Sequence, residues 1–117
     1  MTTYERFDVV LVPFPFIDSD VAKPRPVLVL SGRDFNAAHG ASVLAMITTA
    51  ARSHWPTDVP ITDLASAGLR QPSVVRLKLF TLENALIARR IGALAAPERR
   101  KVEKALAACL GEGWLGK

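Results

Sequence analysis

The chain has 117 residues, of which half are apolar and 22% are charged. This length suits one domain over residues 1–117 with a hydrophobic core, and the composition excludes a wholly disordered chain. The net charge of +4 is compatible with a nucleic-acid partner but does not require one. A single cysteine excludes an intramolecular disulfide and a cysteine-based zinc site. No signal peptide or apolar run of membrane-spanning length occurs, so we expect a cytoplasmic protein.

Short β-branched and apolar runs predict a series of strands. In chain order we expect strands over residues 7–12, 27–30, 42–48, 57–61, 73–79 and 88–94. Pro13 is expected to stop the first strand, and the run at 88–94 fits a helix as well as a strand. Residues 13–26, 31–40 and 49–56 are polar or rich in proline and turn residues, which predicts loops.

Helical signals occur at two places. Thr62 or Asp63 can cap a helical turn that ends at Gly68. A longer helix is expected from Pro97, with Glu98 at the positive end of its dipole. Apolar residues then recur at helical spacing and predict its buried stripe: Val102, Ala105, Leu106, Cys109 and Leu110. Several short strands and one C-terminal helix, without regular β-α alternation, predict a mainly β fold with α: a small twisted sheet or barrel with a helix packed on it.

Arg25 stands between two prolines at the start of an apolar run, in the segment AKPRPVLVL. Pro24 and Pro26 fix their own φ angles and bias the preceding residues toward extended geometry, so Arg25 has little backbone freedom. A planar guanidinium held in this way suits bidentate binding of a phosphate. An ordinary surface salt bridge explains the same pattern.

Two further groups of polar residues lie where strands meet loops or solvent. Thr48 and Thr49 end the third strand, where their hydroxyls can donate to a phosphoryl oxygen or cap a turn. Arg76 and Lys78 share the outer face of the strand at 73–79, and Phe80 continues it. A basic pair with an aromatic neighbour suits single-stranded nucleic acid, whereas a solvated strand face is the simpler interpretation.

The remaining candidate side chains have simpler explanations. His39 and His54 fall in predicted loops and are expected to be exposed there without a partner. Burial in the monomer is expected for Trp55, whereas Trp114 could anchor an interface. The chain has no glycine-rich phosphate loop, no GxSxG motif and no cluster of metal ligands, which argues against a metal-dependent hydrolase.

Taken together, the segments DVVLVPFPF, KPRPVLVLS, AMITT and AGLRQPSVVRLKLFTL, with the closing amphipathic helix, resemble a PemK/MazF-type toxin of a toxin–antitoxin pair. The resemblance covers nearly the whole chain in order. It implies an SH3-like, partly barrelled antiparallel sheet with a C-terminal helix, the PemK/CcdB-type toxin fold. It also implies a homodimer that cleaves single-stranded RNA without a metal or cofactor and is neutralised by a cognate antitoxin.

The resemblance also assigns residues. Arg25 matches the active-site arginine of the family, and Thr48 matches the threonine or serine opposite it. Arg25 is thereby expected to stabilise the charge that develops as the ribose 2′-oxygen attacks its own phosphate, with Thr48 as a second donor. Contacts with RNA are expected from the surrounding residues Lys23, Thr49, Arg76, Lys78 and Phe80.

The chain departs from the family pattern at three points. Lys78 stands where one branch carries an aspartate proposed as the base, in an Arg-x-Asp motif. The first loop offers Asp18 and Asp20 where that branch uses a histidine, and Phe7 replaces a usual glycine. These changes keep two alternatives open: a non-catalytic toxin on the same fold, such as a DNA gyrase poison, and a degenerate RNA-binding module.

Overall fold

The computed structural model describes residues 2–14, 23–51 and 54–111, and for Phe14 the backbone alone. Six strands and three helices follow one another in this part of the chain. They are β1 (Asp8–Phe14), β2 (Lys23–Val29), α1 (Arg33–His39), β3 (Ala41–Thr49), β4 (Val59–Ile61), α2 (Leu64–Ala67), β5 (Ser73–Glu83), β6 (Arg89–Ala93) and α3 (Ala96–Leu110). A 3-10 turn over Asn84–Leu86 joins β5 to β6. No helix in these ranges is long and apolar enough to cross a membrane.

The six strands form one antiparallel sheet in the order β4-β5-β3-β2-β1-β6. The sheet curls into a half-barrel that carries the C-terminal helix, which confirms the expected mainly β architecture. The segment at 88–94, whose sequence fits either element, forms a strand that pairs with β1. The topology places β3 between β2 and β5, so these three strands lie side by side at the centre of the sheet.

Each face of the sheet carries its own apolar core, because successive side chains of a strand point to opposite faces. The first core includes α3 and α2 and contains Phe7, Val9, Leu28, Leu30, Ala45, Ile47, Val59, Ile61, Ala67, Val75, Leu77, Leu94 and Val102. The second core contains Tyr4, Val10, Val12, Val27, Val29, Leu44, Leu82 and Ile87, with Met46 and Phe80 packed against it. The central strands contribute to both cores. A shift of one residue in their pairing would move side chains from one core to the other, so burial on both faces fixes the register.

Glu98 joins α3 to the segment between β4 and α2. Its side chain is buried, and Oε2 accepts hydrogen bonds from the Thr62 amide (2.6 Å), the Thr62 hydroxyl (2.6 Å) and the Asp63 amide (3.0 Å). Burial acts to raise the pKa of this carboxyl, but the three hydrogen bonds outweigh it, so the pKa is lowered. Glu98 is therefore ionised when folded and acts as a structural tie rather than only a dipole partner.

The stripe of α3 is buried at its start and exposed at its end. Val102 is fully buried and Leu106 is packed against the first core, but Leu110 is exposed. Cys109 is exposed as well, so its predicted place in the core is wrong. The reason is geometric: helical spacing continues through the last turn, but the helix has by then passed beyond the core.

Proline does not end the strands where the sequence suggests. β1 continues through Pro13 to Phe14, and β2 begins at Lys23, four residues before the predicted start. Over this extension β2 pairs with β1 alone, because its pairs with β3 are confined to Val27–Val29. A proline in a stretch with a single paired neighbour costs little, because its missing N–H can face away from the ladder.

Helix α1 occupies a segment that was predicted to be a loop. Its buried Asn36 donates from Nδ2 to the carbonyls of Tyr4 (2.8 Å) and Ser31 (3.2 Å). The Asn36 carbonyl in turn accepts from Nδ2 of Asn84 (2.9 Å). This short helix is therefore held by contacts distant in sequence, which no local pattern reveals.

Phe7 has a φ of 74°, in the left-handed region that favours glycine. Its ring is buried in the first core, and the Arg99 guanidinium lies 5.5 Å from the ring centroid. The departure from glycine at this position is thus accommodated by burial of the ring.

Candidate active site

Arg25 and Thr48 lie on the same face of the sheet. Val27 of β2 is opposite Met46 of β3, the last pair of these two strands, and extending this register by two residues places Arg25 across from Thr48. Val27 and Met46 belong to the second core, so alternation directs the Arg25 and Thr48 side chains to that face. On the other side, Arg25 is opposite Val12, which is also in the second core. The two residues therefore stand where the apolar core gives way to polar side chains.

The Arg25 side chain is exposed and lies on a restrained backbone. Pro24 and Pro26 flank it inside β2, and β2 is paired with β1 along this stretch. No carboxylate within residues 2–14, 23–51 or 54–111 forms an ion pair with Arg25. Its guanidinium is thus exposed to solvent on a restrained backbone, where it can bind an external anion.

Arg76 of β5 extends this polar row across the sheet. It lies opposite Met46, so it shares the face of Arg25 and Thr48. We call Arg25, Thr48 and Arg76 the polar row; its members belong to β2, β3 and β5. Adjacent strands lie about 4.8 Å apart and residues two apart on a strand about 7 Å, so the backbones at the two ends of the row are roughly 12 Å apart.

Arg76 is not on a solvated strand face, which corrects the simpler interpretation of its sequence context. Its side chain is 10% exposed and pairs with Asp58, whose side chain is 6% exposed. Nε of Arg76 donates to Oδ1 of Asp58 (3.1 Å), and Nη2 donates to Oδ2 (2.7 Å). The hydrogen bonds from Arg76 lower the pKa of the Asp58 carboxyl.

The ring of Trp55 lies beside two cationic side chains, those of Arg76 and Lys78. Trp55 is exposed, so its predicted burial is wrong. Its ring centroid is 5.5 Å from Cζ of Arg76 and 5.7 Å from Nζ of Lys78. These are cation–π distances, and they bring a second basic residue beside the polar row. A long-range contact between segment 54–58 and β5 therefore replaces the burial expected for Trp55.

Lys78 reaches this position through an irregularity in the ladder between β3 and β5. Arg76 is opposite Met46, but the next pair is Leu79 opposite Ala45, so Leu77 and Lys78 are two extra residues in β5. Arg76, Lys78 and Phe80 keep one face, as alternation predicts, and Phe80 packs against the second core. Leu79, expected beside the buried Leu77, is instead exposed.

Other predicted site residues lie further from this cluster. Alternation places Thr49 on the opposite face from Thr48, and the structure does not bring it to the polar row. Lys23 is exposed at the start of β2 and shares the parity of Arg25. Asp18 and Asp20 lie outside the described residues. His39 is exposed at the end of α1, with its ring centroid 4.5 Å from that of Phe35. His54 is exposed next to Trp55.

Sequence reasoning missed Asp58, the carboxylate that orients Arg76. It comes from a residue 18 positions earlier, in a segment predicted to be the start of a strand. One signal pointed to such a partner: residues 64–82 contain no acid, so a buried Arg76 needs a carboxylate from elsewhere. In the described part of the chain, no three His, Cys, Asp or Glu side chains are grouped to hold a metal ion.

Residues 5–110 match the family model of the PemK-like, MazF-like toxin of type II toxin–antitoxin systems. A comparison with curated proteins gave no match.

Solved structures of similar fold come from several bacteria. An endoribonuclease in complex with its cognate antitoxin, from a mycobacterial species, is 21% identical with a TM-score of 0.75, covering 97% of this chain and 99% of that one. The Mycobacterium tuberculosis toxin MazF-mt6 is 29% identical with a TM-score of 0.67, covering 88% and 95%. A MazE–MazF complex from Deinococcus radiodurans is 19% identical with a TM-score of 0.74, covering 95% and 98%.

Proposed function

Because the chain belongs to the PemK-like, MazF-like toxins of type II toxin–antitoxin systems, we propose that it is an endoribonuclease that cleaves single-stranded RNA at short sequences. The observation that carries the proposal is that Arg25 and Thr48, each two residues beyond the Val27–Met46 pair, lie on the face of the second core. A restrained, exposed guanidinium and a strand hydroxyl thereby converge where the apolar core ends. This arrangement suits a phosphodiester, whose charge increases as it is attacked.

The proposed reaction is transesterification within the RNA strand. The ribose 2′-oxygen attacks the adjacent phosphorus, and the bond from phosphorus to the 5′-oxygen of the next nucleotide breaks. The 2′ proton is lost and the 5′-oxygen gains one, which leaves a 2′,3′-cyclic phosphate and a 5′-hydroxyl. Arg25 stabilises the doubly charged phosphorane and Thr48 donates a further hydrogen bond to it.

Asp58 is poorly suited to accept the 2′ proton, although it is the carboxylate beside the polar row. Both of its oxygens accept hydrogen bonds from Arg76, and these lower its pKa. A carboxylate with a lowered pKa is a weak base, and an arginine is already protonated and cannot accept a proton. Its contribution is to hold Arg76, whereas Lys78 supplies a positive charge where one branch of the family has a carboxylate.

We further propose that cleavage proceeds without a divalent metal and that the toxin acts as a homodimer neutralised by an antitoxin. An acidic antitoxin segment, ordering as it binds, would compete with RNA for Arg25, Lys23 and Lys78. Relatives with a similar fold have been solved as complexes with antitoxins.

The test uses purified antitoxin-free protein on a long single-stranded RNA in excess EDTA, with fragment ends mapped. We expect cuts at one recurring short motif with 5′-hydroxyl ends. Arg25→Ala should slow cleavage by roughly 10²–10³-fold, and Thr48→Val, which removes one hydrogen bond, by about tenfold. Thr81→Val, at an exposed position of β5, is the matched control and should cleave normally.

One specific observation favours a second candidate function, an RNA-binding module that does not cut. Lys78 replaces the carboxylate of the Arg-x-Asp motif, and Asp58 engages Arg76. Intact RNA that nevertheless binds the folded protein would establish this function. Intact RNA without binding would instead direct attention to a gyrase-poison activity.

A further inference from the structure

Trp55 is a large aromatic side chain left at the surface beside basic residues. It is 39% exposed, although Arg76 and Lys78 both approach its ring. A tryptophan that served only to fill the fold would be expected to bury more of its surface. Its setting instead combines an accessible aromatic ring with positive charge, as in sites where bases of single-stranded nucleic acids stack.

The backbone that carries Trp55 is fixed by Asp58. The Trp55 amide donates to Oδ2 of Asp58 (3.0 Å), and the Asp58 amide donates to the Trp55 carbonyl (3.0 Å). The same carboxylate accepts the two hydrogen bonds from Arg76, so the turn is attached to β5. Ordering this turn before a ligand arrives removes part of the entropic cost of binding.

The location connects Trp55 with the polar row. Arg76, whose guanidinium lies by the ring, faces Met46, and Thr48 is two residues further along β3. Arg25 lies beyond Thr48 on β2, so the row runs from a phosphate-binding end to an aromatic end. A strand of RNA across these three β-strands would bring a base near Trp55 while a phosphate lies at Arg25 and Thr48.

We infer that Trp55 is a stacking platform for one base of the single-stranded RNA substrate, held in place by Asp58. This inference rests on the proposed function, because it takes RNA as the ligand of the polar row. The platform contributes binding energy and helps to select which nucleotides lie near the cleaved bond. A stacked base adds affinity with little dependence on base identity, so Trp55 positions the strand more than it reads it.

The first experiment observes Trp55 directly, in a Trp114→Phe background where it is the sole tryptophan. The probe is a 2′-O-methyl RNA oligonucleotide of mixed sequence, which cannot be cleaved because its 2′-oxygens are blocked. We expect saturable quenching of tryptophan fluorescence. Inorganic polyphosphate, which has charge but no bases, should compete for the site without the same quenching.

The second experiment compares affinities for the same oligonucleotide. Trp55→Ala should raise Kd by about 5- to 150-fold, the range for loss of one stacked base, and Trp55→Phe should recover most of the loss. Phe35→Ala is the control, because Phe35 is an exposed aromatic on α1. It should bind as tightly as the parent protein.

The outcomes separate this inference from the proposed function. Quenching together with weaker binding by Trp55→Ala supports the platform even if unmodified RNA is not cleaved. Binding without quenching, with Trp55→Ala unchanged, overturns it even if RNA is cleaved at a defined motif. It is also overturned if Trp55 fluorescence changes with protein concentration and Trp55→Ala abolishes self-association, since the ring would then lie between two copies of the chain.

Discussion

The two faces of the sheet serve different purposes. The first face is covered by α3 and α2, and its buried side chains form a continuous apolar core. The second face begins as an apolar core but ends in the polar row, beside which Trp55 and Lys78 are exposed. A single strand supplies both: β3 directs Ile47 to the first core and Thr48 to the polar row. Alternate residues of one strand thus contribute to the stability of the fold and to the candidate site. Substitutions on the first face should therefore change stability, and those on the second face should change RNA binding or cleavage.

The largest effect on stability is expected at the centre of the first face. Leu28 is fully buried, and Leu28→Ala should lower the free energy of unfolding by about 2–5 kcal/mol, measured by urea denaturation. Leu86→Ala, at an exposed position, should change it by less than about 0.5 kcal/mol. RNA cleavage per folded molecule should be unchanged in both variants. A loss of activity in folded Leu28→Ala would mean that the two faces are not independent.

The next effect concerns packing between α2 and β6. Gly68 has a φ of 73°, and an added Cβ would lie 2.1 Å from the Ile91 carbonyl oxygen. Gly68→Ala should therefore destabilise the protein by more than a left-handed backbone alone, which costs roughly 1–2 kcal/mol. Gly40→Ala is the matched control, because Gly40 has a similar φ of 63° with open space around the new Cβ. Equal losses of Tm in the two variants would refute a steric cause.

A smaller effect, dependent on pH, is expected at the Asp58–Arg76 pair. The pKa of Asp58 is lowered in the folded state, so its stabilisation is fully present above the unfolded pKa of about 3.9 and is lost as pH falls through the folded value. Asp58→Asn should lower stability by roughly 1–2 kcal/mol at pH 7, because it removes charge-assisted hydrogen bonds to Arg76. Thermal unfolding from pH 7 to pH 3 should show this difference constant above about pH 5 and shrinking below about pH 4. A difference that grows on acidification would contradict the pairing.

The smallest effect on the fold, but a specific one on binding, is expected at Lys78. Lys78→Ala should leave Tm unchanged. For binding to 2′-O-methyl RNA, the slope of log K against log salt concentration should become shallower by about 0.7, the change expected for one lost phosphate contact. Lys104→Ala, on the exposed side of α3, should leave the slope unchanged. An equal change of slope in Lys104→Ala would contradict the assignment of RNA binding to the second face of the sheet.

Most of the fold is predictable because it follows from local patterns. The strands at 42–48 and 73–79, the capped turn ending at Gly68 and the C-terminal helix all have strong periodicity or capping signals and occur close to the predicted positions. The failures have tertiary causes. Helix α1 depends on Asn36 and its partners far along the chain, and the prolines of β2 are tolerated because of which strands are paired there.

The candidate site was predictable only in part, for a similar reason. Arg25 stands out locally because two prolines restrain it, and the resemblance to the toxin family predicts a role for Thr48. No local sequence pattern predicts the role of Asp58 or the exposure of Trp55. Both depend on contacts with Arg76 of β5, which lies 18 or more residues later in the chain. Hydropathy favours burial of a tryptophan, and only the position of its cationic neighbours reveals a surface role.

The two extra residues of β5 have a consequence for how this strand can vary in length. Side chains alternate with a period of two, so an insertion of two leaves Phe80 and Leu82 on the side of the second core. Loss of either Leu77 or Lys78 alone would reverse the parity of everything after it, sending both side chains to the opposite face. Loss of both would shorten the strand while preserving its sidedness. Insertions or deletions of an even number of residues at this point of β5 should therefore be tolerated. Those of an odd number should not be.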